Sequence, residues 1–286
     1  MAELIASQIF TGLVSGLLLV LVALGVTLIF GFMNVVNFAH GAFYMVGAYV
    51  GLVVLRATGS FWLALIAVPL ALGAIGLVAE RTLIRPLYRR TAHDPLLLTF
   101  GLTFVLIEII RMIFGSVGVS LAAPDVLTGA LNVGGYVFPH YSLFIGGVAI
   151  ALVVALWLFL EKTDVGLIIR AGTQDSVMVE VLGIEISRYR MVVFGIGIAI
   201  AGLAGLLAAP RTGLTPDMGT AILIFAFVVV VIGGLGSYWG AVISGLLVGV
   251  VTSLTALFYP ALAQIVVFVL MAVVLLVRPR GLLGTT

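Results

Sequence analysis

The chain has no cysteine. That excludes a disulfide framework, a thiol nucleophile and a thiolate metal site. It has one lysine, Lys162, in the run Glu161-Lys162-Thr163-Asp164. A P-loop needs Gly-Lys-Ser/Thr at the end of a glycine-rich turn, so ATP is not held here by that device. The three histidines, His40, His93 and His140, are widely separated, and neither His-Glu-x-x-His nor Gly-x-Ser-x-Gly occurs. No catalytic residue, cofactor or metal is expected, and a membrane enzyme is disfavoured. Charge is scarcest of all: 8% of 286 residues are Asp, Glu, Lys or Arg, against 63% hydrophobic. Soluble domains carry roughly 25% charge, so this chain cannot cover a surface facing water on all sides.

What is present is long apolar runs, at about 9–30, 40–56, 61–84, 94–115, 141–160, 191–209, 219–236, 240–258 and 261–277. Each approaches the ~20 residues that a spanning helix needs. They predict an all-α, polytopic transmembrane helical bundle of about nine spans, eight to ten if a run dips in and returns near 31–39 or 233–240. The runs are continuous and not alternating, which disfavours a β-barrel. The stretch 116–140 reads as a loop. The N-terminal Met1–Phe10 lacks a basic leader region, so the first run is expected to be a retained helix. Residues 1–286 form one transmembrane domain with a cytoplasmic segment, 161–190, inside it.

Orientation follows from the basic residues. Arg81, Arg85, Arg89 and Arg90 share one loop; Lys162, Arg170, Arg188 and Arg190 share another; Arg278 and Arg280 lie in the tail. Nine alternating spans put all three stretches on one side, with the N-terminus outside and the C-terminus cytoplasmic. Arg56, Arg111 and Arg211 fall on or near the other side. Acidic residues cluster at loops and span ends, Glu108 excepted. It stands three residues before Arg111 on one helix face, either a structural pair near the outer interface or a gate. With so little charge at mid-span, proton or sodium coupling is disfavoured, and the energy source lies outside the chain.

Polarity concentrates at Gly31–Val50. Asn34, Asn37, Gly41 and Tyr44 recur at helical spacing, with His40 at the edge of that face. Unsatisfied polar groups are expensive in lipid, so these residues line a pathway through the protein or cap the ends of a broken helix. Gly12-xxx-Gly16 and Gly47-xxx-Gly51 fit close helix packing. Leu28–Ala42 is echoed by Val230–Ala241, each running from aliphatic residues through glycine and a polar patch to Gly-Ala. Either the two are a parallel repeat or both are glycine-rich helix joints. Gly233, Gly234 and Gly236 of the second stretch join the candidate pathway residues.

Nine charged residues fall within 161–190. Thr173–Gly183 reads as a short helix with Val177, Met178, Val181 and Leu182 on one face, Asp175 near its start and Gly183 as its stop. That apolar face lies on the membrane surface or in a partner's groove.

Three stretches carry a resemblance that runs over nearly the whole chain: Gly25–Val50, Arg170–Arg190 followed by Ala199–Pro210, and Val230–Val251. In order and spacing they resemble a branched-chain amino acid ABC transporter permease. The resemblance implies an inner-membrane, multi-pass subunit of a bacterial importer. It also implies a second related permease, two cytoplasmic ATPase subunits and an external substrate-binding protein as partners, with the lipid bilayer and without nucleic acid. The segment matching Arg170 to Ile186 would couple the ATPases to the pore. Arg170, Ala171 and Gly172 stand where the wider importer signature opens Glu-Ala-Ala, while Gly183 keeps the signature's glycine. Arg170, Ala171, Gly172, Asp175, Val177, Met178, Val181, Leu182 and Gly183 are the candidate coupling residues. The expected function is uptake of a small apolar amino acid by alternating access. The rivals are the same kind of importer for urea, amides, sugars or nucleosides, a secondary transporter acting alone, and a scaffold without transport.

Overall fold

A computed structural model describes residues 2–88, 90–91, 93–133 and 136–284. Among them are eleven α-helices. These are α1 (Ala2–Met33), α2 (His40–Thr58), α3 (Phe61–Ala79), α4 (His93–Phe114), α5 (His140–Lys162), α6 (Asp164–Gln174), α7 (Ser176–Val181), α8 (Ile186–Thr212), α9 (Met218–Gly233), α10 (Tyr238–Phe258) and α11 (Val266–Val277). Seven of these segments are long and apolar enough to cross a membrane, α3 being continued by its extension as far as Leu87; α9 and α11 are apolar but shorter. Each of the nine coincides with one of the apolar runs.

The expectation of helix alone needs one correction. Within 116–140, Ala130–Val133 pairs antiparallel with Tyr136–Pro139, Leu131 opposite Phe138. Tyr136, Val137 and Phe138 are consecutive residues that favour strands, and Phe138 packs edge-on to Phe10 of α1 at 4.9 Å between ring centroids.

Glycine sets the packing. α1 and α10 run antiparallel: a Cβ at Gly12 would lie 2.8 Å from Val250 Cα, and one at Gly16 2.8 Å from the Gly245 oxygen. Backbones can meet this closely only without side chains between them. Gly47 meets Gly202, and Gly51 meets Leu206, so both small-residue pairs face a partner helix. Helix α8 is the hub. Its Gly197 lies against Gly25 and Ile29 of α1, its Gly202 against Leu72 of α3, and its Gly205 against Tyr44 of α2. Helices α1, α2 and α8 are the most buried, whereas α3, α4, α5 and α10 turn much of their surface outward.

The basic stretches gather at one end of the bundle. Arg85 reaches Glu185 at 3.7 Å, and the Arg190 guanidinium lies 4.9 Å above the Tyr88 ring. Gly172 packs on Phe32 at the end of α1, Gly31 on Gly236, and Gly281 on Gly234. Arg89 lies outside the described residues. Arg56, Arg111 and Arg211 occupy the last turns of α2, α4 and α8, at the other end.

Candidate functional site

The candidate residues fall in two places: the α1–α2 break with the α9–α10 turn beside it, and the segment between α5 and α8.

The chain leaves the helix at Asn34, so Asn34, Asn37, Gly41 and Tyr44 do not form one continuous helical face. This corrects the periodicity argument. Asn34 has φ +51°, a left-handed conformation that asparagine tolerates better than most residues. Its N–H still donates to the Phe30 oxygen at 2.8 Å. Asn37 then turns the chain, its Oδ1 accepting from Ala39 N at 3.0 Å, and Thr99 Oγ1 of α4 accepts from Phe38 N at 3.1 Å. Asn34 is exposed while Asn37, His40, Gly41 and Tyr44 are buried.

His40 opens α2 deep inside the protein. Its Nε2–H donates to the Val22 oxygen of α1 at 3.2 Å. Val22 lies eleven residues before the end of α1, so at ~1.5 Å per residue α2 begins about 16 Å back inside the bundle. Its Nδ1 has no partner, nor have Thr27 Oγ1 and Asn37 Nδ2, all buried. Gly41 meets the backbone of Gly219 in the first turn of α9. Near the same level, Asp217 before α9 accepts from Arg111 Nη2 at 2.7 Å, while Arg111 Nη1 donates to Glu108 at 2.6 Å. The sequence predicts the pairing of Glu108 with Arg111; Asp217, 106 residues away, carries no local signal.

Gly233, Gly234 and Gly236 form the turn between α9 and α10. Gly234 and Gly236 take φ of +102° and +80°, conformations open to glycine. The tail caps this turn: Leu282 N donates to the Ile232 oxygen at 2.8 Å and Leu283 N to the Gly233 oxygen at 3.0 Å. A Cβ on Gly31 would lie 3.3 Å from Gly236 Cα. The two echoing stretches are therefore two helix joints, and they touch.

The segment 161–190 holds two helices and not one. Thr163 caps α6, its Oγ1 accepting from Gly166 N at 3.0 Å. Asp175 caps α7, its Oδ1 accepting from Met178 N at 2.9 Å. The helix expected over Thr173–Gly183 therefore starts at Ser176, because Asp175 is extended and breaks it from α6. Gly183, at φ +83°, ends it.

The candidate coupling residues divide in two. Arg170 folds back onto the Leu160 oxygen and lies 3.3 Å from Glu161. Gly172 admits Phe32 and Ile186 where a Cβ would be 2.7 Å from each. With Asp175 and Gly183, these residues shape the segment. Ala171, Val177, Met178, Val181 and Leu182 are exposed, Met178 by 57% and Val181 by 76%, while Val179 anchors α7 at 5%. An apolar face exposed on a helix pinned at its opposite side is unusual unless something covers it.

The model of the family described as "Branched-chain amino acid transport system / permease component" matches residues 8–275. The chain is 31% identical to the high-affinity branched-chain amino acid transport system permease protein BraD of Pseudomonas aeruginosa, covering 97% of this chain and 95% of that one. It is 28% identical to the permease protein LivM of Escherichia coli, named for the same kind of system, covering 93% and 68%. The solved structure of PsaBC from Streptococcus pneumoniae in complex with Fab shares the fold, with a TM-score of 0.50 and 14% identity over 93% of this chain and 89% of that one.

Proposed function

Since the chain belongs to the branched-chain amino acid transport permease family, we propose that it is the membrane-spanning permease subunit of an ATP-driven importer of branched-chain, apolar amino acids. The observation that carries this is the uncovered apolar face of α7. Val177, Met178, Val181 and Leu182 present it at the basic end of the bundle, and helix-in-groove docking suits such a face. One of the importer's two ATPase subunits docks there on the cytoplasmic side. The gathering of the basic stretches supports that orientation, with nine spans across the cytoplasmic membrane, the N-terminus outside and the C-terminus in the cytoplasm. A second related permease completes the pore; similarity to both BraD and LivM, two permease proteins of such systems, supports this partner. An external binding protein delivers the solute.

The pathway passes the α1–α2 break. A buried polar group without a partner costs about 1–3 kcal/mol, and three such groups, on Thr27, Asn37 and His40, cluster within fourteen positions of this joint. A solute or its water satisfies them when the crossing of Gly41 and Gly219 opens. Alternating access then consists of ATP-driven motion at α7 reaching this joint. No bond is made or broken on this chain. The test is reconstitution into liposomes with the ATPases, second permease and binding protein. Uptake of leucine, isoleucine or valine that requires ATP supports the reading. Uptake by this chain alone on an ion gradient overturns it.

A further inference from the structure

Among the described residues, Glu80 is the one acidic side chain that is fully buried. It stands where α3 changes pitch. After Ala79 the chain widens into a single π turn, Glu80–Ile84, closed by Arg85 N donating to the Glu80 oxygen. Pro86, which has no N–H to continue the ladder, follows in a 3₁₀ turn, Arg85–Leu87. π turns of this kind recur at functional positions. The turn brings Tyr88 back against Glu80, and Tyr88 Oη donates to Glu80 Oε1 at 2.7 Å. Glu80 Oε2 is buried and unpartnered. The Tyr88 ring carries Arg190 of α8 on its face, at 4.9 Å. A second link runs beside it: Arg85 to Glu185 at 3.7 Å, and Glu185 to Arg188 at 2.7 Å.

A buried carboxylate carries a desolvation penalty. What Glu80 achieves is a connection. It fixes the Tyr88 ring, and the ring fixes Arg190 in the first turns of the helix that continues directly from the α7 segment. Helix α3 in turn packs along α8 through Leu72 on Gly202 and Gly76 on Gly195.

We propose that Glu80 is a positioning residue for energy transfer: through Tyr88 and Arg190 it makes the cytoplasmic end of α3 move as one body with the coupling segment and the start of α8. This rests on the proposed role of α7 as the ATPase contact. The exposed link through Arg85, Glu185 and Arg188 is subsidiary, since solvent screens such pairs.

The closing experiment has two arms. In the first, the chain alone, in lipid nanodiscs, carries spin labels at L83C and E180C, both exposed positions on an otherwise cysteine-free background. The unaltered cluster should give one narrow distance distribution, and Tyr88→Phe, which removes only the hydroxyl, a broadened or shifted one. An unchanged distribution overturns the tether. In the second arm, the assembled transporter carries Tyr88→Phe, Glu80→Ala and Glu80→Gln. Tyr88→Phe and Glu80→Ala should keep ATP hydrolysis while uptake per ATP falls at least about fivefold. Glu80→Gln, whose amide oxygen still accepts from Tyr88, should recover part of that loss. If hydrolysis, uptake and complex yield all fall together, the cluster is structural only and the proposal fails. If uptake per ATP is unchanged, it fails as well. Absence of ATP-driven uptake in the unaltered transporter would instead refute the importer reading, leaving the first arm to decide whether the tether exists.

Discussion

Gly41 of α2 and Gly219 of α9 meet backbone to backbone, each occupying the space that a Cβ on the other would need. Two helix starts are thereby brought together inside the bundle. Gly41→Ala should cost about 1–3 kcal/mol, the usual penalty for forcing volume into a packed site, and Gly41→Leu should lower assembly or abolish flux. Thermal unfolding in detergent and the yield of folded protein measure this. Gly219→Ala should behave alike, and the double variant should lose less than the sum because both alter one contact.

Val177→Glu and Leu182→Glu place charge on the exposed side of α7. Exposed substitutions leave folding stability within about 0.5 kcal/mol, so the melting of the isolated chain should not move. ATP hydrolysis by the assembled transporter should persist or its subunits dissociate, with uptake lost in either case. Coupled transport at the normal rate would remove the docking role of this face.

The absence of cysteine makes the orientation directly measurable. A single cysteine replacing Glu180 should react with an impermeant maleimide only from the cytoplasmic side. One replacing Val126, exposed in the loop before the hairpin, should react only from outside. The reverse pattern would invert every span.

Burial, and then the hydrogen bond to Glu80, hold the Tyr88 phenol above its ordinary pKa. The neutral ring is thus favoured in the folded protein. Its stabilising contribution is complete below the ordinary phenol pKa of about 10 and is lost as pH rises beyond it. Above pH 10 the unaltered chain should lose melting temperature more steeply than Tyr88→Phe does. Parallel curves would mean that this phenol does not govern alkaline stability.

The nine apolar runs were legible because hydrocarbon imposes one length and one composition on every spanning helix. The small-residue pairs at Gly12 and Gly47 were legible for a related reason, since only close packing rewards two glycines one turn apart. Two kinds of feature were not. The joint at Asn34 looks helical in spacing, because a left-handed residue and an Asx turn leave the periodicity of the letters intact. The short hairpin after Leu127 lies in a stretch where glycine and proline mask strand preference. Long-range pairs left no local trace: nothing near Arg111 announces Asp217, and nothing near Glu80 announces Arg190. The apolar face of α7 was visible in the letters, while its exposure belongs to the fold, which spends the adjacent Val179 as the anchor.

Gly12 and Gly16 seat α1 directly on the backbone of α10 between Gly245 and Val250. Substituting any larger residue at Gly12 or Gly16 would therefore prise the two helices apart, so this seam admits no drift in side-chain size.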